Sequence, residues 1–468
     1  MRQSIFPVLA LAGALLLPGC GDGGSGGDAD AAVPPADGFP LIKCAAVTAV
    51  HCVEVPGGDV AALLTAVNSL EDGTTIVLGK GSFAMDRGVA IRSNGAHLLG
   101  QGIDVTTLDF GATTAQVNGV DVVGDDFLVQ DLTVLDSPKD GIRVEDSTGV
   151  VFRRIRATWS TPSDSTNGSY GIYPVKSKNV LVEDSRAENA SDAGLYVGQC
   201  QHVIVRNNTV KGNVAGLEIE NVEYADVFGN TAEDNTGGIV VFDLPGNPTV
   251  GRDIRIRDNI IRDNNHLNFA PGGTVKNIPV GTGTFALASR RVEITGNTYA
   301  NNDTGDIAVL SGLVIEPDTT KWTLPTATIV GDYQDLGLLP GAAADTVMNF
   351  RSENIVIVGN THTGSGTAPD RVDPLQLGLL LAVVYGADPI DSVLYDSVGE
   401  SLFDSTDPVK NSNDNHVCVG GSTGSFASMR LEAQTPTSVT PFYRPLVPFA
   451  PFDCTALNGG PVAPVVLP

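Results

Sequence analysis

The sequence predicts an all-β fold, a right-handed parallel β-helix (a solenoid) closed at its start by an amphipathic capping helix. Three observations predict it. Glycine-led segments recur as Gly119-Val-Asp-Val, Gly141-Ile-Arg-Val, Gly171-Ile-Tyr-Pro-Val, Gly194-Leu-Tyr-Val, Gly216-Leu-Glu-Ile and Gly238-Ile-Val-Val, at steps of 22, 30, 23, 22 and 22 residues. Periods of that length mark a solenoid with one supersecondary unit per repeat. A second run follows in each repeat, among them Val180-Leu-Val, Val203-Ile-Val, Ile254-Arg-Ile, Val292-Glu-Ile and Ile355-Val-Ile, and alternation rich in Val and Ile is strand chemistry. Asn208, Asn230, Asn259, Asn297 and Asn360 then occupy one equivalent position, with Asn213, Asn235, Asn264 and Asn302 five residues later. A carboxamide donates and accepts at once, so asparagines stacked turn over turn form hydrogen-bonded ladders inside a coil. Asparagine also tolerates the left-handed backbone, which is expected at these corners. A leucine-rich repeat has a similar period, but its Leu-x-x-Leu-x-Leu frame is absent.

The chain begins with a positive charge at Arg2, an apolar run from Val8 to Leu17, and Leu17-Pro18-Gly19-Cys20, the layout of an export signal. This segment resembles a bacterial lipobox, with Pro18 departing from the usual small residue, and the resemblance implies that Cys20 carries lipid. The apolar run is too short to span roughly 30 Å of hydrocarbon, so the expectation is a lipid anchor and no spanning helix. Residues 1–20 are assigned as signal peptide and residues 21–40, rich in Gly, Ala, Asp and Pro, as a flexible tether. The protein is therefore expected to be exported and anchored in the bacterial cell envelope, at the outer membrane or its periplasmic face.

The β-helix is assigned to residues 41–366. Its capping helix runs from Asp59, the N-cap, to Leu70, with apolar positions Val60, Leu63, Leu64, Val67 and Leu70 and with Gly73 beyond the end. An open stack needs such a cover. Between residues 314 and 349 the period is lost, one repeat returns at Glu353 to Gly366, and residues 367–468 read as an irregular C-terminal cap held by a disulfide.

Six cysteines suit an oxidising compartment: Cys20 for lipid, Cys44 near Cys52, Cys418 near Cys454, and Cys200 left over. Two disulfides are expected, the alternative at each pair being buried free thiols. No cysteine spacing repeats as CxxC, no C-x-x-C-H is present, and the six histidines are dispersed, each reading as a surface or turn residue. No metal or cofactor is therefore expected. With 54 acidic against 28 basic residues the net charge is -26, which repels nucleic acid and anionic membrane surfaces. A polyanionic ligand requires a locally basic patch.

The segments Tyr170-Gly-Ile-Tyr-Pro-Val, Ser191-Asp-Ala-Gly-Leu-Tyr-Val-Gly-Gln, Asn213-Val-Ala-Gly-Leu-Glu-Ile-Glu-Asn and Asn235-Thr-Gly-Gly-Ile-Val-Val-Phe-Asp-Leu-Pro resemble the pectate-lyase-like superfamily. Within it they are similar to a bacterial group of parallel β-helix domain (lipo)proteins, over roughly Val60 to Cys454. The resemblance implies an exported or lipidated protein, often encoded beside a di-haem cytochrome c, which makes such a cytochrome a candidate partner. The wider superfamily includes polysaccharide lyases, epimerases and glycoside hydrolases, so a polysaccharide is the candidate ligand, although fold alone does not fix function.

On each glycine-led strand the residues one and three after the glycine are expected to face inward, and those two and four after it outward. The outward columns read Arg143, Tyr173, Tyr196, Glu218, Val240 and Glu145, Val175, Gly198, Glu220, Phe242. The candidate ligand face is Arg143, Tyr173, Lys176, Asp192, Tyr196, Glu218, Glu220 and Phe242, where tyrosines could stack on sugar rings. The alternative is that stacked side chains only stabilise neighbouring coils. Uronic-acid chemistry needs a cation for the carboxylate, a base and an acid, roles open to Arg143, Lys176 or Lys178, and Tyr173 or Tyr196. Hydrolysis instead needs two carboxyl groups, and Glu218 and Glu220 on one strand face lie roughly 7 Å apart. Gly420-Gly-Ser-Thr-Gly424 matches G-x-S-x-G, but without a strand-turn-helix around it the match reads as a glycine-rich loop. The sequence thus supports an envelope protein that binds or modifies a polysaccharide, a lyase or epimerase as the enzymatic form of that reading, or a non-catalytic scaffold for an exported cytochrome.

Overall fold

Each regular coil holds three short strands. Ala193–Gly198, Gln201–Arg206 and Thr209–Lys211 make one coil, and Ala215–Glu220, Glu223–Phe228 and Thr231–Glu233 make the next. They pair in parallel with Leu195 beside Leu217, Val203 beside Ala225 and Val210 beside Ala232. The computed structural model describes residues 41–331, 345–404, 407, 410–420, 424–435 and 438–468. Residues 1–40, the segments expected to be signal peptide and tether with Cys20 between them, lie outside the described residues, as do the three central residues of the G-x-S-x-G string.

Among the described residues the glycine-led strands form one 11-stranded sheet, from Val89–Ile91 to Phe426–Ser428. The other two strands of each coil merge into a 20-stranded sheet. They merge because Leu128–Leu135 and Thr148–Thr158 run through the corner and join both stacks. The inward residues Leu195, Val197, Val203, Val205 and Val210 are fully buried. The predicted facing is therefore observed, and burial of this continuous apolar column drives coil stacking.

Both asparagine ladders form. The Nδ2 groups of Asn208, Asn230, Asn259 and Asn297 each donate to Oδ1 of the next ladder member, at 3.0, 3.0, 2.9 and 3.1 Å, ending on Asn360. Asn213, Asn235 and Asn264 do the same at 3.0, 3.0 and 3.1 Å, ending on Asn302. The corner differs from expectation. The left-handed residue is the one before each ladder asparagine, such as Asn207 (φ 57°), Asp258 (φ 54°) and Gly296 (φ 65°). That residue makes the turn and leaves the amide of the next one free to point inward.

At the start, helix α1 (Val60–Asn68) is capped by Asp59, which accepts from the Ala62 amide at 2.9 Å. Leu63, Ala66 and Val67 pack with Val55, Ile76 and Leu78 over the first coil. The Cys44–Cys52 disulfide ties the turn Cys44–Ala46 to the first strand, His51–Val55. At the far end the β-helix does not stop at residue 366. Val393–Tyr395 and Phe426–Ser428 extend the glycine-led sheet, and Val417–Gly420 extends the other. Long connections between these strands hide the period, which is why 367–468 read as irregular. Tyr443, Phe449 and Phe452 join the core there, and Cys418 is bonded to Cys454. Cys200 is a buried free thiol. No helix among the described residues is long and apolar enough to cross a membrane.

The irregular segments build a second layer over the outward face of the glycine-led sheet. Val275, Ile278, Trp322, Leu377 and Leu381 pack there against Tyr196, Phe242, Phe285 and Leu310. A solenoid face that a regular repeat leaves to solvent is here the floor of a second apolar core.

Candidate functional site on the glycine-led sheet

Parallel register places the outward residues in the predicted columns. Asp121 pairs with Arg143, Arg143 with Tyr173, Tyr196 with Glu218 and Glu218 with Val240; Gly198 pairs with Glu220 and Glu220 with Phe242. The second layer then divides the eight candidate residues into two groups.

Arg143, Tyr173 and Lys176 lie at the open end. Arg143 reaches Asp121 at 3.4 Å and also pairs with Glu145, and Lys176 meets the same Glu145 at 3.1 Å. The Arg143 guanidinium lies 5.9 Å from the Tyr173 ring centre. Toward the first coils this end becomes a groove of about 430 Å³, lined by Arg87, Gln116, Asn118, Asp121, Lys139 and Arg143 among others. Its floor is Ala90, Asp121 and Arg143, one outward residue from each of three successive coils.

Tyr196, Glu218, Glu220 and Phe242 are covered, Tyr196 being 4% and Glu218 2% exposed. Asp192 is half-buried beside them, close enough to the covering loop that a side chain on Gly273 would meet its Oδ2 at 3.5 Å. The face expected to meet ligand is therefore closed here, because the loop carrying Val275 and Ile278 packs onto it. The cavity above Glu218 is about 30 Å³ and is walled by Val240, Phe242, Ile278 and Phe285. That is room for water, whereas sites for organic ligands run to roughly 300 Å³ and more. The Glu218–Glu220 pair considered for hydrolysis thus has no space for a sugar ring in this arrangement.

Three tyrosines join the two groups. Tyr170 and Tyr173 ring centres are 4.7 Å apart, Tyr170 and Tyr196 4.5 Å, and Tyr173 and Tyr196 4.9 Å. The Tyr196 ring lies back over its own strand, so that a β-carbon on Gly198 would stand 2.4 Å from Cε1. Glycine at 198 is what lets the ring lie there.

Burial without cationic partners raises the acids. It pushes Asp192 up to about 7, opposed by the Tyr170 hydroxyl and reinforced by Glu220 and Asp140. Burial, then the charges of Asp192 and Glu220, lifts Glu218 well above the usual carboxylate range. Glu220 is raised by burial, opposed by Tyr196 and Gln199. Two further acids extend the row, both missed in the sequence because neither follows a glycine at the outward spacing. Burial pushes Asp140 up to about 6 against the nearby Lys139, and Asp243 up to about 7 against Arg290. Lys139, Arg87 and Asn118 in the groove were also unmarked, lying in turns whose direction the repeat does not predict. Burial and nearby acids hold the Tyr173 hydroxyl up at about 12.

The fold with this outward face defines a right-handed parallel β-helix protein. The family described as the right handed beta helix region matches residues 88–252 and again 167–316. No curated protein matches the chain. Solved structures similar to it include the A-module of a mannuronan C-5 epimerase from Azotobacter vinelandii, at 14% identity and a TM-score of 0.40, covering 73% of this chain and 91% of that one. A lacto-N-biosidase from Eubacterium ramulus shares 13% identity at a TM-score of 0.42, over 56% of this chain and 58% of that one. A polygalacturonase from Erwinia carotovora shares 12% identity at a TM-score of 0.39, over 70% and 95%.

Proposed function

We propose that this chain is an exported protein, lipid-anchored through Cys20, that binds or modifies an acidic polysaccharide along the open groove of the glycine-led sheet. The observation that carries the reading is the groove itself. In a chain of net charge -26 it gathers three cations, Arg87, Lys139 and Arg143, against one lining acid, Asp121, around about 430 Å³ of open space, a locally basic patch of the kind a polyanion requires. Arg143 and Lys139 would neutralise a uronate carboxylate, Asn118 would hydrogen-bond hydroxyls, and Tyr173 at the groove's end would stack on a ring. Asp140, raised to about 6 by burial, is 2% exposed and does not line the groove, so the reading rests on binding, with Tyr173 at the groove's end the group nearest a bound ring. Lys176, engaged with Glu145, supports Arg143 from the next coil.

Binding of polygalacturonate and alginate, with neutral dextran as control, tests this. Replacing Arg143 or Lys139 by Ala should weaken polyanion binding about tenfold each, the loss of one charged hydrogen bond. Ultraviolet-absorbing unsaturated products, or a changed sugar ratio by NMR, would add lyase or epimerase activity to binding. Retention of neither polyanion, or equal retention by the variants, would remove the reading. The alternative, a non-catalytic scaffold for an exported di-haem cytochrome c, would then be tested by recovery of a cytochrome with the protein from membranes.

A further inference from the structure

Residues 212–214 and 234–236 suffice to join the third strand of a regular coil to the next glycine-led strand, whereas the following coil uses residues 263–281. Hydrogen bonds brace this longer loop internally. Asn268 Nδ2 donates to the Val275 carbonyl at 3.0 Å and to that of Ile278 at 3.2 Å, and the Ala270 amide donates to Asn268 Oδ1 at 3.1 Å. The ends are tied to the coil, the His266 amide donating to the Asn235 carbonyl at 3.1 Å and the Gly281 amide to that of Asn264 at 2.9 Å. Between those ends, what presses on the sheet is apolar. Val275 and Ile278 pack with Tyr196, Val240 and Phe242, so closely that a β-carbon on Gly237 would stand 2.8 Å from Ile278 Cγ2.

This apolar cover sits on acids. Glu218 lines the water-sized cavity beneath Ile278, and its Oε1 has no hydrogen-bond partner; nor has Oδ1 of Asp192. The charges that act on these two groups come from each other, Glu220 and Asp140, and all are negative. Burial holds the hydroxyls of Tyr170, Tyr173 and Tyr196 above their ordinary value, so they stay neutral. The other charged groups around the loop are turned elsewhere. His266 lies 2.6 Å from Ser163 Oγ and 3.5 Å from Asp234, and Lys276 is exposed. Asp370 accepts from the Val280 amide, and Asp373 from those of Leu377 and Gly378. Glu316 pairs with Lys321, and Asp243 with Arg290.

We propose that residues 265–280 form a lid that is held closed while Asp192 and Glu218 are protonated and lifts as they ionise, uncovering Tyr196 beside Tyr173. A neutral carboxyl tolerates an apolar cover. An anion in the same place has neither a cation nor water, and lifting the cover supplies the water. Burial pushes Asp192 up to about 7, which sets the response around neutrality. The sign follows from proton balance: the closed form keeps protons that the open form releases, so rising pH favours opening. The device is independent of what the groove binds, because the acids and the cover act on one another alone.

Hydrogen exchange of the intact protein, read by mass spectrometry at pH 5 and pH 8 as protection corrected for the intrinsic pH dependence of exchange, tests the lid. Peptides from residues 268–280 should lose protection by roughly tenfold per pH unit for each proton released. Gln201–Arg206, in the body of the coil, should keep its protection. Asp192→Asn combined with Glu218→Gln should hold the loop at pH 8 as well protected as at pH 5. Ile278→Ala, which weakens the apolar contact and leaves the acids in place, should open the lid at lower pH. His266→Gln, at the loop's own end, should keep the response. Far-UV circular dichroism verifies the fold of each variant. Equal protection of the loop at both pH values, an undiminished response in the double variant, its loss in His266→Gln, or an equal loss in Gln201–Arg206 would overturn the proposal.

Discussion

Asn302 donates its side-chain amide to Asp306 at 2.9 Å, so the inner asparagine ladder ends on a carboxylate that in turn holds His362. A structural ladder running from Asn213 is thereby continuous with this polar pair at the far end. Its integrity bears on both stability and the orientation of the imidazole.

Replacing Asn230 by Ala removes the oxygen that accepts from the Asn208 amide at 2.9 Å and from its Nδ2 at 3.0 Å. It also strips a donor from the Val205 carbonyl. Buried groups left unpaired cost about 1–3 kcal/mol each, so a loss of at least about 3 kcal/mol is expected, read as a lower denaturation midpoint. Asn68→Ala, at the exposed end of helix α1, should cost much less.

The covered acids set a pH dependence. Asp192 and Asp243 are raised to about 7 and Asp140 to about 6. The folded state therefore holds protons that the unfolded chain releases near pH 4, and stability falls as pH rises through that interval. The contribution is present below the unfolded value and lost as pH climbs through the folded one. Asp192→Asn combined with Glu218→Gln removes part of this titration. Each tenfold difference in proton affinity between the folded and unfolded chain is worth about 1.4 kcal/mol. Denaturation at pH 5 and pH 8 should therefore show the double variant gaining on the parent at the higher pH by a few kcal/mol.

Gly198→Ala places a methyl group against the Tyr196 ring, where the present separation to a β-carbon is 2.4 Å. Expelling the ring breaks the packing of three tyrosines. A loss of about 1–3 kcal/mol is expected, together with faster quenching of tyrosine fluorescence by acrylamide.

Cys418 and Cys454 close a loop across a sequence separation of 36. Replacing both by Ser should cost about 3–4 kcal/mol. Limited proteolysis should then cut the segment after Phe426–Ser428 before it touches the regular coils. Equal resistance in the presence and absence of the disulfide would show that packing of Phe449 and Phe452 alone suffices.

The regular coils were legible because they obey local rules. Alternation in Gln201–Arg206 and the recurrence of Asn208 and Asn230 follow from neighbours within one coil. The two disulfides were legible from proximity at the ends of the chain, where the fold needs ties. The covering of Glu218 was not, because Ile278 and Phe285 come from segments with no period, and whether an outward column meets water or protein is decided by tertiary packing. His362 read as an isolated surface histidine because Asp306 lies 56 residues away in sequence. The one local trace was Gly305-Asp306-Ile307, where an acid follows a column that is glycine from Gly119 to Gly283.

Helix α1 at one end and the aromatic segment around Phe449 and Phe452 at the other have a consequence for the molecule in bulk. A parallel stack terminates in a row of unpaired amides and carbonyls that a second copy could continue, strand upon strand, into a fibre. Among the described residues, Leu63 packs onto the first coil and Phe452 onto the last, where Phe452 also accepts from the Val419 amide, so much of each end is covered by the chain itself and opposes such growth.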